Sequence, residues 1–101
     1  MIISGYTFSE PKQINATDNI ERAAVYIVMT HNSQSWYYLY VGQTNDVAKR
    51  FDQHEKWSCW QRNQQSEGLF VAISLEPNKD KRLAIETQLR NVLPGLPCNR
   101  Q

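Results

Sequence analysis

Short apolar runs bounded by turn-forming residues dominate the middle of this chain, and they predict strands. The run Ala24-Val25-Tyr26-Ile27-Val28-Met29 predicts the first, over residues 22–30. A side-chain period of two places Val25, Ile27 and Met29 on one face and Ala24, Tyr26 and Val28 on the other. The polar stretch His31-Asn32-Ser33-Gln34-Ser35 suits a hairpin loop. A second strand follows at Trp36–Val41, with Trp36, Tyr38 and Tyr40 sharing one face and Tyr37, Leu39 and Val41 the other. Leu69–Leu75 is nearly all apolar between Gly68 and Pro77, which reads as a buried third strand.

Helical spacing governs the rest. Thr44 or Asn45 caps a helix that runs to about Lys56, with Asp46 favourable in its first turn. In it, Val47 and Phe51 point to a core, while Arg50 and His54, also four apart, share a polar face. A second helical segment covers Trp57 to about Gln65, with Trp57 and Trp60 on one side, and Ser66-Glu67-Gly68 breaks it. Lys79 or Asp80 opens the last long helix, which stops near Leu93 ahead of Pro94-Gly95. Residues 1–20 read as an N-terminal arm, either loose or carrying a short strand at Ile2–Phe8. Residues 21–101 read as one domain.

The chain has 101 residues, enough for one core and no second module. Lys and Arg total 11 against 10 acids, a formal net charge of +1. A nucleic-acid partner would therefore be met by local arrangement and not by a basic excess. Residues 1–44 hold two basic and three acidic groups and the remainder nine and seven, a weak bias toward the helical part. Contact with DNA is accordingly expected to be weak and salt-sensitive. Cys59 and Cys98 lack CxxC spacing and, with His31 and His54, make no zinc pattern. They read as two reduced thiols of a cytoplasmic protein. Met1–Tyr6 lacks the basic start and apolar stretch of a signal peptide, and no run approaches a membrane span.

Five kinds of side chain carry candidate chemistry. Glu86 lies between Leu83 and Leu89, each about 60° away on a helical wheel, so a carboxylate is set in an apolar stripe. Such a charge needs a cation. A hard divalent ion, Mg²⁺ or Mn²⁺, is one answer, and an ion pair with Arg82 or Arg90 is the other. Arg50 offers a planar fork for phosphate, or pairs with Asp46. Tyr26 and Tyr40 are core aromatics or, if cations lie near, phenols able to lose a proton. His54 is a proton relay or a helix-terminal histidine. Trp57 and Trp60 stack on bases or, more simply, pack a helix.

Two tyrosine-bearing segments, Ala24-Val25-Tyr26 and Tyr40-Val41-Gly42, precede Arg50 and His54, which fall eight and twelve residues after Gly42. With Glu86 and Asn99, this pattern resembles the GIY-YIG nuclease domain from about Ala23 to Asn99. One departure is Ala24, where the first motif commonly has glycine. The resemblance implies an α/β (α+β) fold, a three-stranded antiparallel sheet flanked by helices. It also implies a DNA endonuclease using one divalent cation, Mg²⁺ or Mn²⁺, held by Glu86. Tyr26, assisted by His54, would activate water, and Arg50 and Tyr40 would steady the phosphate. Gly42, Gln43, Lys49 and Asn99 would lie along the DNA, Asn99 holding the site by side-chain hydrogen bonds. Specificity would come from a protein partner or a homo-oligomer. The rival readings are a module that binds nucleic acid without cutting it, a partner-docking domain, and a metal-free phosphodiesterase.

Overall fold

The three apolar runs pair side by side, and the central one is buried on both faces. The computed structural model describes residues 1–100. In it β4 (Ala24–His31) lies between β5 (Trp36–Thr44) and β6 (Leu69–Leu75), antiparallel to both. The sheet has four strands, not the three expected. The fourth, β3 (Lys12–Gln13), pairs antiparallel with β6 through Lys12 opposite Val71 and Gln13 opposite Phe70. Two polar residues after Pro11 carry no hydrophobic alternation, so this strand leaves no trace in the pattern. Ahead of it, β1 (Ile2–Ile3) and β2 (Tyr6–Thr7) form a separate two-stranded hairpin. Its turn holds Gly5 at φ 87°, and it buries Ile3 and Phe8 against Val25 and Ile27.

Both faces of the sheet are covered. On one, Ala24, Tyr26 and Val28 pack with Val47, Phe51 and Trp60 from the segment that holds α1 (Val47–Arg50) and α2 (Trp57–Asn63). On the other, Val25, Ile27 and Val41 pack with Ile85, Leu89 and Leu93 on or just beyond α3 (Lys79–Val92). Asn78 caps α3, its side chain accepting from the Lys81 amide at 3.0 Å. The alternation of β4 appears as expected, but that of β5 does not. Val28 pairs with Tyr40 and Met29 with Tyr38, leaving Leu39 as the extra residue of a bulge. Leu39 and Tyr40 therefore pack on the Tyr26 face, while Tyr38 and Val41 pack on the α3 face.

The helix expected from residue 44 to about Lys56 is a single turn. Asp46, not Thr44 or Asn45, occupies the N-cap position, and α1 ends at Arg50. The chain then turns, with the indole N–H of Trp57 donating to the Phe51 carbonyl at 2.5 Å and the Trp57 amide donating to the His54 carbonyl at 3.2 Å. Those bonds satisfy carbonyls that a continuing helix would have used, and α2 starts afresh.

After α3 the chain reverses through Gly95 (φ 83°) and Leu96 (φ 54°), and the Leu96 amide donates to the Tyr38 carbonyl at 3.2 Å. A 3₁₀ turn at Pro97–Asn99 follows. It brings Cys98 to Cys59 as a disulfide, Cα to Cα 5.8 Å, so the two are not free thiols. A separation of 39 residues carries no local spacing signal, and only tertiary folding makes this pair.

Candidate active site

Tyr26 and Gly42 stand directly opposite each other across β4 and β5. This pairing builds the site. A Cβ on Gly42 would lie 2.5 Å from both Cζ and Oη of Tyr26 and 2.8 Å from Cε2 of Tyr40. Glycine thus admits the Tyr26 ring by absence of bulk, its own backbone torsion being ordinary. The two phenol rings sit 6.1 Å apart, and Phe51 meets Tyr26 edge-on at 4.9 Å. Tyr26 is fully buried and Tyr40 half-buried. Burial pushes both phenols up, Tyr26 well above the usual tyrosine range, and the guanidinium of Arg50 partly opposes this.

His54 completes the ring cluster. Its Nε2 is 2.7 Å from the Tyr26 hydroxyl, and its Nδ1 accepts the Lys56 amide N–H at 3.0 Å. A neutral imidazole has one donor and one acceptor nitrogen. The Lys56 amide takes the acceptor, so Nε2 carries the proton and donates it to the Tyr26 oxygen. Trp60, also fully buried, lies on the imidazole with centroids 4.4 Å apart. Burial, reinforced by Arg50, lowers the His54 pKa to about 4 and keeps the ring neutral. His54 and Arg50 meet through the turn after α1 and not through one helical face.

Arg50 is paired with Glu55, not with Asp46. Its Nη1 and Nη2 donate to the two carboxylate oxygens at 3.0 and 2.8 Å, the planar fork-to-fork arrangement. This bond raises the Arg50 pKa and holds that of Glu55 down to about 2. The guanidinium charge also pulls the Tyr26 pKa down, against the larger effect of burial.

Glu86 lies on α3, close enough for its charge to bear on Tyr40 of β5. It is half-buried, and among the described residues it has no hydrogen bond and no ion pair. Neither Arg82 nor Arg90 pairs with it. Arg82 is buried and donates to Gln43 Oε1 and to the Glu76 and Pro77 carbonyls, each at 2.9–3.0 Å. Burial raises the Glu86 pKa, with Arg90 pulling the other way, and its charge in turn raises Tyr40. A half-buried carboxylate without a partner fits a hard cation whose remaining ligands are water and phosphate oxygens. Among the described residues no group of three or more His, Cys, Asp or Glu could hold a metal ion, so Glu86 would be a lone protein ligand.

The remaining candidates separate. The Asn99 amide spends both ends on β5, accepting from Val41 N–H at 2.8 Å and donating to Val41 C=O at 3.0 Å. It thereby pins the strand between Tyr40 and Gly42. Gln43 is occupied by Arg82, Gly42 is buried, and Lys49 is exposed. Sequence reasoning missed Glu55 and the amide of Lys56, and offered Arg82 to Glu86 where it bonds Gln43. Glu55 lies five residues beyond Arg50, a spacing with no meaning on a helix, so no signal marked it. Trp60 packs in the core and does not present a stacking surface.

A family model described as the GIY-YIG catalytic domain matches residues 22–93. The span takes in Tyr26, Tyr40, Gly42, Arg50, His54 and Glu86 and ends before Asn99. No curated protein and no solved structure matches significantly. Domains of this kind are generally endonucleases that act on DNA. The match covers most of the chain, and the protein belongs to the GIY-YIG catalytic domain family.

Proposed function

We propose that this protein is a metal-dependent DNA endonuclease that hydrolyses phosphodiester bonds beside Tyr40 and Gly42 of β5. The observation that carries the reading is the gathering of two phenols, a guanidinium and a proton-fixed imidazole around Gly42, within the field of an unpartnered carboxylate. Glu86 would hold one Mg²⁺ or Mn²⁺. A bound divalent ion supplies Lewis-acid stabilisation of charge on the phosphate and on the leaving oxygen. Tyr26, once its phenol proton has passed to solvent, would take a proton from the attacking water; that ionisation works against burial and is helped by His54 Nε2–H and the Arg50 charge. Arg50 and Tyr40 orient the phosphate. The new P–O bond forms as the P–O3′ bond breaks, leaving a 5′-phosphate and a 3′-oxygen that takes a proton from solvent.

Ala24 is completely buried at the start of β4 on the Tyr26 face, so the fold accepts its methyl group where the motif commonly has glycine. The catalytic unit spans residues 21–101, and specificity comes from a partner or a second copy. No helix among the described residues is long and apolar enough to cross a membrane.

One observation favours a second reading, a module that holds nucleic acid without cutting it: Tyr26 is shut away from water. Nicking of supercoiled plasmid in Mg²⁺ or Mn²⁺ separates the two. The nuclease reading expects nicking by the native chain, abolished by a chelator and by Glu86→Ala, with DNA binding retained in the variant. DNA binding at low salt without nicking by the native chain would leave the binding module, and nicking that survives the chelator would leave a metal-free phosphodiesterase.

A further inference from the structure

The cation that the proposed reaction needs for its phosphate is already occupied. Glu55 sits on the Arg50 fork in a bidentate pair, 3.0 and 2.8 Å, with its own side chain 60% exposed and that of Arg50 27% exposed. Carboxylate and phosphate present the same spacing of two oxygens to a guanidinium, so one replaces the other without rearranging the fork. Little else holds Glu55. Its carboxylate lies 3.7 Å from His54 Nδ1, but that nitrogen carries no proton because it accepts the Lys56 amide. Most of its carboxylate surface already faces water, so displacement costs little desolvation.

We infer that Glu55 is a built-in competitor for the phosphodiester: it occupies the Arg50 fork in the absence of DNA and yields it to the DNA backbone. The inference rests on the nuclease reading for its role but not for its test. One consequence follows from the geometry. The Arg50 charge is cancelled locally, so stray anions bind weakly. Glu55 is a positioning residue, acting through Arg50.

The probe is inorganic phosphate, titrated at fixed ionic strength into the native chain, Glu55→Gln, Glu55→Ala and Arg50→Gln, following the Arg50 Nε–H resonance and the Glu55 carboxylate carbon by NMR. Removing the competitor is expected to tighten phosphate on the order of fivefold, the worth of about 1 kcal/mol for a well-formed exposed pair. Both Glu55 variants tighten, Arg50→Gln binds no phosphate at this site, and in the native chain the Glu55 signal moves in step with Arg50. Phosphate affinity unchanged or weaker in both Glu55 variants overturns the inference and makes Glu55 a brace for the turn after α1. If the variants fail to fold, a Glu55 signal that stays still while Arg50 shifts in the native chain does the same. Plasmid nicking run in parallel keeps the two ideas apart. Tighter phosphate without nicking by any form upholds the exchange and removes the nuclease; nicking with unaltered phosphate affinity does the reverse. Where nicking occurs, Glu55→Gln lowers KM more than it changes kcat.

Discussion

Replacing Gly42 by alanine adds a single methyl group at the most crowded point of the site. Two of the atoms it would meet, Cζ and Oη of Tyr26, lie at 2.5 Å, and the third, Cε2 of Tyr40, at 2.8 Å. A phenol tip at the surface would swing aside. Tyr26 has nowhere to go: it is fully buried, flanked edge-on by Phe51 and tied to His54 at 2.7 Å. Overpacking of this kind costs roughly 1–3 kcal/mol, and the tight contacts place Gly42→Ala toward the upper end. Against this, exchanging glycine for alanine at an ordinary torsion recovers about 0.4–1 kcal/mol by restricting the unfolded chain. The net expectation is a loss of about 2 kcal/mol, a fall in Tm of roughly 10 °C for a domain of this size. Urea unfolding monitored by tryptophan fluorescence reads the first, calorimetry the second. A variant as stable as the native protein, with the Tyr26 to His54 hydrogen bond intact, would refute the account of why glycine stands there.

The other expectations concern the same network. Tyr26→Phe removes the His54 partner; it costs about 1 kcal/mol in urea unfolding and reduces single-turnover cleavage by roughly 10²–10⁴-fold. His54 is neutral in the fold with a pKa of about 4 but protonates near 6.5 when unfolded, so the unfolded chain binds more protons between those values. Its contribution is complete above about pH 6.5 and is lost as pH falls toward 4, a span of roughly 3 kcal/mol that urea melts across this range would lack in His54→Gln. Asn99→Ala leaves the Val41 N–H and C=O without the Asn99 amide; it costs about 1–3 kcal/mol, and hydrogen exchange at Val41 should accelerate accordingly. Reducing the Cys59–Cys98 bond, which spans 39 residues, lowers stability by about 4 kcal/mol on loop-entropy grounds, read as a drop in urea midpoint with added dithiothreitol.

Much of the fold is legible wherever one physical rule acts alone. Val25, Ile27 and Met29 alternate with Ala24, Tyr26 and Val28 because β4 is paired on both sides and regular throughout. The boundaries of β6 and α3 follow from Gly68, Pro77 and Pro94-Gly95 for the same reason. Legibility ends where two elements compete for one residue. The β5 bulge at Leu39 turns Tyr40 onto the Tyr26 face, and nothing in the string Trp36–Val41 marks it. The break after Arg50 depends on the Trp57 indole reaching back to Phe51. The fourth strand borrows its order from β6, and the disulfide from the reversal at Gly95 and Leu96. Of the candidate site, the tyrosines, Gly42, Arg50 and His54 converge. The partner of Arg50, the proton position on His54 and the clamp by Asn99 are tertiary facts. Each rests on a hydrogen bond whose other end lies outside the motif or across a turn.

The central claim is that Glu86, reaching in from α3, shares one cation-holding site with Tyr40 and Gly42 on β5. Paramagnetic broadening of amide resonances by substoichiometric Mn²⁺ tests it most directly. The account predicts that signals from residues 40–43 and 85–87 fade first and together, and that Glu86→Gln abolishes the effect while leaving the spectrum otherwise folded. Broadening centred elsewhere, or unchanged in Glu86→Gln, would contradict it.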